Sequence, residues 1–420
     1  MNKALIGIIV LVLIVIVVIA LGREESNPRR GRHSPRASRK TSSCKREKSP
    51  CKKPQFCKCE ESESGEDCAC KPCGTGLNSY DVERLVSNNS SGIRTSYVDP
   101  LIANAWGLSH SPTGPWNVVD NGTGLATEYL ADGEPFPVGS PLQIFITSAS
   151  ERSSPTGNVF NRFALEHPSE FLITESNRTA PGIFFYATED GTVSGWNSSV
   201  NSDNSILVIN NSQSGAVYKG ITMMEGGGAR YLYVTNFSTG LVEMYDSAWT
   251  LIKTFTDPNL ATNCPITGQC YAPFNIQAHC GLLYVTYALQ DARHHDNVDG
   301  AGKGYVVTFD WNGTLVKRLI SGGNLNAPWG LAWAPKCFGA FSCCLLVGNF
   351  GDGKINAYDT TTGQFIGTLK DQATGLSIVL EGLWGIQFGN GNQAGSKNHL
   401  YYASGPVNEV DGLFGYIKVH

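Results

Sequence analysis

The sequence contains an internal repeat whose spacing limits the fold more than any other feature of the chain. Six segments align on a glycine or asparagine at the start of an apolar strand, namely Ala105-Trp106-Gly107-Leu108, Pro155-Thr156-Gly157-Asn158, Tyr218-Lys219-Gly220-Ile221, Pro273-Phe274-Asn275-Ile276, Pro328-Trp329-Gly330-Leu331 and Leu383-Trp384-Gly385-Ile386. The intervals between the aligned residues are 50, 63, 55, 55 and 55. Such a period indicates one structural unit repeated within a single domain.

Each repeat continues with the pattern of a small antiparallel sheet. A second apolar run leads into a turn rich in Gly, Asn and acidic residues, and a third run often ends near an aspartate. With 47 glycines, 10 % aromatic and 16 % charged residues, the composition favours short strands and tight turns. We therefore predict an all-β fold, a six-bladed β-propeller over residues 80–420. Only 35 residues follow Gly385, so residues 80–86 are predicted to complete blade six and close the ring.

The N-terminal region predicts a membrane anchor and a linker. Residues 4–21 form an apolar run of 18 residues, which as a helix nearly crosses a hydrocarbon core. We predict that residues 1–22 are a transmembrane signal-anchor helix, with a cleaved secretory signal as the alternative. Residues 23–43 are rich in Arg, Ser and Pro and lack apolar side chains, so a disordered basic linker is expected there.

A cysteine-rich stalk is predicted over residues 44–79. Seven cysteines lie between Cys44 and Cys73, where there are too few apolar side chains for a core. Their spacing matches structural zinc sites only in part, so disulfides are favoured over zinc. Because seven is an odd number, a disulfide-linked homo-oligomer through this region is a further expectation.

Two kinds of evidence conflict on orientation. The arginines that follow the apolar run would keep that flank in the cytoplasm, whereas the cysteines and eight Asn-x-Ser/Thr sequons favour an extracytoplasmic propeller. We predict a single-pass membrane protein with its propeller on the extracytoplasmic or virion-exterior side, although a turn-rich chain also produces sequons by chance. The sequons begin at Asn88, Asn89, Asn121, Asn177, Asn197, Asn210, Asn236 and Asn312.

Six further cysteines lie within the propeller. Cys264 and Cys270 bracket a turn short enough for a loop disulfide, and Cys337 is placed to pair with Cys343 or Cys344 in the same way. Cys280 has no evident partner in the sequence.

The repeated motifs resemble a family of secreted bacterial proteins predicted to be six-bladed propellers, some of which carry a PEP-type C-terminal sorting tail. The resemblance covers residues 80–416 and includes Asp120-Asn121-Gly122-Thr123-Gly124, Ala327-Pro328-Trp329-Gly330-Leu331-Ala332 and Gly348-Asn349-Phe350-Gly351-Asp352-Gly353. The chain departs from that family in its anchor, its stalk and its lack of a sorting tail. More distantly it is similar to NHL and regucalcin/gluconolactonase-type propellers, a similarity that implies either a binding scaffold or a calcium-dependent lactonase.

One face of a propeller gathers the loops around its central channel, so candidate ligand-binding residues are expected there. We predict that Trp106, Phe274, Trp329 and Trp384 ring the mouth, with Asn275 and Glu381 facing inward. The alternative for the aromatic residues is packing between neighbouring blades. Oxygen ligands from Asp190, Asn275 and Glu381 could hold Ca²⁺, the one cofactor that the sequence suggests.

The turn over residues 290–304 is much longer than its counterparts in the other repeats. It contains His294, His295 and Asp296, which are candidates for a metal site or for a general base with an orienting carboxylate. Asp291 and Asp299 are further candidate metal ligands in this loop. Adjacent histidines point in divergent directions on an extended loop, so a purely structural loop is the alternative.

These observations favour a membrane-anchored, surface-displayed binding or structural module, with a protein or glycan as ligand. The alternative is a Ca²⁺- or Zn²⁺-dependent hydrolase or lactonase with its site in the channel; the sequence leaves open whether the chain is an enzyme. A net charge of -4 gives no basic field for nucleic acid, which we exclude as a partner. The sequence also lacks a Gly-x-Ser-x-Gly elbow, a His-Glu-x-x-His motif and a phosphate loop.

Overall fold

The computed structural model describes residues 74, 76–89 and 92–420. Within these residues the chain forms six sheets of four or five strands and one separate two-stranded hairpin. The strands pair antiparallel except for the first two strands of the chain, which pair in parallel. The predicted six-bladed β-propeller is therefore confirmed. The predicted anchor, the linker and all seven stalk cysteines lie outside the described residues. Among the residues that are described, no helix is long and apolar enough to cross a bilayer.

The strands follow one another from the inner to the outer edge of each blade. Strands β1 (Tyr80–Ser87) and β2 (Tyr97–Val98) precede blade one, which contains β3 (Ala105–His110), β4 (Trp116–Asp120), β5 (Leu125–Tyr129) and β6 (Gln143–Phe145). Blade two contains β7 (Pro155–Phe160), then the separate hairpin β8 (Leu172–Glu175) and β9 (Arg178–Pro181), then β10 (Phe184–Thr188), β11 (Thr192–Trp196) and β12 (Ile206–Asn210).

The next two blades each consist of four consecutive strands. Blade three contains β13 (Tyr218–Gly226), β14 (Ala229–Asn236), β15 (Leu241–Tyr245) and β16 (Leu251–Phe255). The short helix α1 (Pro258–Ala261) leads into blade four, with β17 (Tyr271–His279), β18 (Leu282–Leu289), β19 (Tyr305–Phe309) and β20 (Leu315–Ser321).

The last two blades complete the ring. Blade five contains β21 (Pro328–Trp333), β22 (Leu345–Asn349), β23 (Ile355–Tyr358) and β24 (Phe365–Thr368). Blade six begins with β25 (Leu383–Phe388), β26 (Leu400–Ser404) and β27 (Leu413–Val419). Strand β1 then pairs antiparallel with β27, from Tyr80 opposite Val419 to Ser87 opposite Leu413. The predicted closure by the residues after position 80 is confirmed, because β1 is the outer neighbour of β27.

The repeated glycines allow the inner strands of neighbouring blades to approach closely. A Cβ atom on Gly107 would lie 2.5 Å from the Thr156 carbonyl oxygen, and one on Gly330 would lie 2.7 Å from the Trp384 carbonyl oxygen. Equivalent contacts with the next inner strand occur at the aligned glycines 157, 220 and 385. The sixth aligned residue, Asn275, instead donates its side-chain amide to the Trp329 carbonyl oxygen at 2.7 Å. The repeat motif is thus the line of contact between blades.

A buried carboxyl group between blades one and two predicts a pH-dependent stability. Burial raises the pKa of Glu128 to about 7, although a hydrogen bond with Asn117 opposes this shift. An ordinary glutamate pKa is lower, so the folded protein binds this proton more tightly than the unfolded chain does. The stabilisation is complete below the ordinary pKa of about 4.5 and is lost as the pH rises through about 7.

We therefore expect the thermal unfolding temperature to fall between about pH 5 and about pH 8, and Glu128→Gln to flatten that slope because Gln does not ionise. This pKa difference corresponds to a change in the free energy of unfolding on the order of 3 kcal/mol. Glu225→Gln, at the exposed end of β13, is the matched control. Equal slopes for Glu128→Gln and the wild type would contradict the assignment.

Candidate functional site

The inner strands of all six blades begin on the same face of the ring, which we call the top face. The turns from the second to the third strand of each blade lie on this face too, because the strands alternate in direction. The residues that immediately precede the aligned Gly or Asn are therefore brought together near the axis. They are Trp106, Thr156, Lys219, Phe274, Trp329 and Trp384.

Four of these residues form an aromatic cluster that closes the top of the channel. Trp106 stacks on Trp384 with ring centroids 3.6 Å apart, and Trp329 meets both rings edge-on. Phe274 packs against Trp384 with centroids 5.9 Å apart. All four side chains are buried. The predicted aromatic ring around an open mouth is thus a closed core cluster, because the rings contact one another across the axis.

The two residues predicted to face inward have different surroundings. Asn275 lines the channel and is buried, with its amide group bonded to Trp329 and its side-chain oxygen accepting from the Ile276 backbone amide. Glu381 is exposed and accepts a hydrogen bond from the Val407 backbone amide. Glu381 therefore does not line the channel cavity, and its carboxylate is bonded to the loop between β26 and β27.

Asp291 organises the long loop of blade four. Its carboxylate accepts hydrogen bonds from the backbone amides of Arg293, His295 and Asp296. The Arg293 guanidinium connects the Asp291 and Asp296 carboxylates, at 3.1 Å from each. This network holds the loop as a compact turn, so Asp291 has a structural role within the loop.

The catalytic candidates of this loop are separated by their hydrogen bonds. The His294 ring bonds to the Gly268 carbonyl oxygen in the preceding loop. His295 points elsewhere and places Nδ1 at 2.9 Å from Asp296 Oδ1. That hydrogen bond raises the pKa of His295 and lowers the pKa of Asp296. The two histidines therefore do not act as a pair, whereas His295 and Asp296 do.

A buried lysine, absent from the sequence-based candidates, lies beside this pair. The Lys219 side chain is only 2 % exposed and forms an ion pair with Glu189, which is 14 % exposed. Its ammonium group is also 3.8 Å from Asp296 Oδ1 and 5.1 Å from the centre of the Trp106 ring. The Asn121 amide donates to the second oxygen of Glu189. Lys219 thus contacts both the aromatic cluster and the carboxylates of Glu189 and Asp296.

The sequence contained a signal for this lysine. At the position before the aligned Gly or Asn, four repeats have Trp or Phe and one has Thr, so a charged side chain departs from the pattern. Charged residues on an inner strand are seldom buried without a partner. Glu189, the partner, precedes Asp190 in the turn of blade two.

The residues at this point do not fit a resident metal ion. Glu189, His295 and Asp296 form the one group of three described His, Cys, Asp or Glu residues whose ligand atoms gather within 4.8 Å. However, the Lys219 ammonium already contacts both carboxylates, and His295 Nδ1 is bonded to Asp296. A metal ion would have to displace this internal cation.

The other proposed metal ligands are not assembled in that group. Asp190 accepts hydrogen bonds from Ser150 and from the Ser154 backbone amide, which anchor the preceding loop. Asp299 accepts a hydrogen bond from the Asn297 amide and is exposed.

A strained turn brings another carboxyl group to the cluster. Val407, Asn408 and Glu409, in the loop between β26 and β27, all have left-handed backbone conformations, with φ of 57°, 52° and 66°. This conformation is a genuine outlier for a β-branched residue such as Val407. Burial raises the pKa of Glu409 to about 7, and the negative charge of Glu189 adds to the shift. The top face therefore carries an acidic cluster, formed by Glu189, Asp296, Asp299 and Glu409 around Lys219.

The cysteines of the propeller are oxidised. Cys264 and Cys270 form a disulfide with Cα atoms 4.0 Å apart. Cys280, Cys337, Cys343 and Cys344 are disulfide-bonded as well. The pairing of Cys337 with Cys343 or Cys344 stays a prediction.

Below the aromatic cluster, the channel contains a cavity of about 240 Å³. The inner strands of all six blades line it, including Ser109, Asn158, Thr222, Gln277 and Gln387. Its lining contains no carboxylate, so the cavity and the acidic cluster differ in chemistry. The aromatic cluster separates the two.

The sequence is similar to three proteins of Acanthamoeba polyphaga mimivirus. It is 30 % identical to Uncharacterized protein R648 over 345 residues, which are 81 % of this chain and 80 % of R648. It is 29 % identical to Uncharacterized protein L690 over 80 % of this chain and 85 % of L690. Uncharacterized protein R640 is 36 % identical over 217 residues, which are 51 % of this chain and 40 % of R640.

The structure is also similar to solved structures at low sequence identity. Virginiamycin B lyase from Staphylococcus aureus is 9 % identical with a TM-score of 0.46, covering 81 % of this chain and 100 % of the lyase. The soluble aldose sugar dehydrogenase of Escherichia coli is 10 % identical with a TM-score of 0.44, at the same coverage. These likenesses concern the fold alone. No protein-family model matches the sequence.

Proposed function

Because this chain belongs to the same family as the mimivirus protein R648, whose name assigns no activity, we propose a function from the top face itself: a binding module for a basic, partly apolar segment of a protein partner. The observation that carries this proposal is the strained turn that holds Glu409 over the Lys219–Glu189 ion pair. Strained backbone of this kind costs about 1–3 kcal/mol per residue and clusters at binding sites and switches.

The charges of the cluster select a cationic partner. The carboxyl groups outnumber the cations once Glu409 is ionised, because Lys219, Arg293 and His295 face five of them, namely Glu189, Asp291, Asp296, Asp299 and Glu409. Asp296 is half exposed and His295 is 42 % exposed, so an incoming side chain can reach them. A lysine or arginine side chain of a partner would complete the charge balance.

Exposed valines beside the cluster favour a partner that carries an apolar side chain next to its basic residue. Val407 and Val410 flank Glu409 in the same loop and are 41 % and 63 % exposed. Val379, 58 % exposed, lies two residues from Glu381, whose carboxylate accepts from the Val407 amide. An apolar patch next to complementary charge is typical of a protein-binding surface.

The location of the module is also part of the proposal. The apolar run at residues 4–21 supports a membrane anchor, and the oxidised cysteines support an extracytoplasmic or virion-exterior compartment. The acidic top face would then be accessible to partners in that compartment.

Model peptides test the binding role. A fluorescent peptide of alternating Lys and Leu should bind the propeller, whereas Glu/Leu and Lys/Ser peptides of equal length should bind at least about tenfold more weakly. Because Glu409 has a pKa of about 7, binding should tighten as the pH rises through 7. Glu409→Gln should weaken this dependence and leave only the part due to His295, whose pKa is raised by its hydrogen bond with Asp296. Glu225→Gln, at the far end of an inner strand, should keep the full dependence. Equal binding of all three peptides would overturn the proposal.

Substitution of the strained Val407 is expected to raise the stability of the fold and to lower its affinity for the peptide. Asn adopts the left-handed conformation more readily than Val, so Val407→Asn should raise the free energy of unfolding by about 1 kcal/mol. The same change removes an exposed apolar side chain, so affinity for the Lys/Leu peptide should fall about fivefold. Val316→Asn, at an exposed valine of β20, is the matched control and should leave affinity unchanged. Thermal denaturation and fluorescence anisotropy measure both effects, and unchanged affinity in Val407→Asn would contradict the binding surface.

A further inference from the structure

The six sequons whose three residues are all described fall into two structural groups. In one group the asparagine amide is used by the fold, and in the other it is exposed and available. We infer that Asn177, Asn210 and Asn312 are N-glycosylation sites, and that Asn121, Asn197 and Asn236 remain unmodified in the folded protein. The inference goes beyond the binding role and does not depend on it.

The three excluded asparagines use their amide nitrogen in structural hydrogen bonds. Asn236 is 2 % exposed and donates to Glu243 at 2.7 Å. Asn121 donates to Glu189 within the top-face cluster at 3.1 Å. Asn197 donates to the Pro181 carbonyl oxygen at 2.8 Å. A glycan would replace one of the two hydrogens on such a nitrogen and would need space beside a group that the fold already holds against its acceptor.

The three proposed acceptors are exposed in the outer parts of the ring. Asn177 lies at the tip of the β8–β9 hairpin, and Asn312 lies in the turn between β19 and β20. Neither side chain forms a hydrogen bond with another described residue. Asn210, at the end of β12, uses only its oxygen, which accepts from the Ser212 amide and hydroxyl. Its amide nitrogen therefore stays available.

The modification requires a lipid-pyrophosphate-linked oligosaccharide as donor and an oligosaccharyltransferase as enzyme. A bond forms between the asparagine Nδ2 and C1 of the first sugar, while the bond from C1 to the pyrophosphate oxygen breaks. The lipid pyrophosphate leaves with the bonding electrons, and the proton lost from Nδ2 balances the reaction. The transfer changes no oxidation state and needs no oxidant or reductant.

The oxidised cysteines support access to such an enzyme. All six cysteines of the propeller are disulfide-bonded, which is typical of a compartment that also contains glycosylation machinery. The positions of Asn121 and Asn236 agree with this division, because both lie in turns of the top face. Glycans at the other three would lie on the outer strands and turns.

Site occupancy in the full chain tests this inference. The chain is expressed with its own N-terminal region in a eukaryotic secretory host and purified as folded protein. Enzymatic removal of N-glycans in H₂¹⁸O then tags each occupied asparagine for peptide mass spectrometry. We expect tags at Asn177, Asn210 and Asn312, and none at Asn121, Asn197 or Asn236.

Substitutions of the third sequon residue provide matched controls, since they leave the asparagines intact. Thr179→Ala, Ser212→Ala and Thr314→Ala should each remove one glycan from the intact mass. Ser238→Ala, in the buried Asn236 sequon, should leave the mass of the glycans unchanged. A tag on Asn121, Asn197 or Asn236 in folded protein would overturn the inference, and so would a chain without glycans at the three exposed sites.

Discussion

Gly330→Val is expected to prevent the ring from closing, and the smaller change Gly330→Ala to lower the free energy of unfolding by about 3 kcal/mol. A Cβ atom on Gly330 would lie 2.7 Å from the Trp384 carbonyl oxygen and 2.8 Å from the Ile386 side chain. The first of these atoms belongs to the backbone of the next inner strand and cannot rotate away. Relief of the clash would therefore require blades five and six to separate. Urea denaturation of purified Gly330→Ala, together with the yield of soluble Gly330→Val, measures the effect.

The same repeat position in blade four provides the control. Asn275 already carries a side chain there, because the seam between blades four and five accommodates it through a hydrogen bond to Trp329. Asn275→Ala should therefore cost only the loss of that bond, about 1 kcal/mol. If Asn275→Ala and Gly330→Ala were equally destabilising, close backbone approach would not be the reason for the repeated glycine.

Lys219→Met is expected to destabilise the fold by about 3 kcal/mol, because it leaves Glu189 without its cation at a largely buried site. The methionine retains most of the apolar length of the lysine side chain over Trp106, so the loss reports mainly on charge. The double variant Lys219→Met with Glu189→Gln should recover more than half of that loss, since the unpaired carboxylate is removed. Chemical denaturation of the wild type, Lys219→Met, Glu189→Gln and the double variant gives the coupling energy between the two residues.

Metal addition to the same variants separates the binding module from a metal-dependent hydrolase. With Lys219 absent, Glu189, His295 and Asp296 are free to bind Zn²⁺, so Zn²⁺ should raise the unfolding temperature of Lys219→Met. The wild type should show no such shift with Zn²⁺ or Ca²⁺, because its ammonium occupies that position. An equal shift in the wild type would show that the lysine is readily displaced, and would favour the hydrolase.

The architecture could be predicted from sequence because its determinants are local and repeated. A glycine that must lie against the next strand recurs once per blade, and the incomplete last repeat indicates that residues near Tyr80 must supply a strand. The aromatic residues before the glycines were identified for the same reason. Their arrangement was not predictable, because whether Trp106 and Trp384 line a mouth or stack across it depends on the ring diameter.

The binding site was only partly predictable because its residues come from four blades. Glu189, Lys219, Asp296 and Glu409 lie far apart in the chain and meet only once the ring has closed. The long loop indicated Asp296 and His295 by its length alone. Nothing in the sequence indicated Glu409 as a site residue, because its loop resembles an ordinary turn. Only the positive φ values reveal the strain of that loop.

The pairing of β1 with β27 also has a consequence for biosynthesis. Ser87 pairs with Leu413, so the first strand waits for a partner that is 326 positions later in the chain. At roughly 10 residues per second, translation takes about half a minute to cover that distance. During this interval β1 is an unpaired edge, the kind of surface that recruits strands from other chains. A nascent chain of this protein is therefore expected to need a chaperone until its last strand emerges, and two ribosome-bound copies close together would be prone to exchange their first strands.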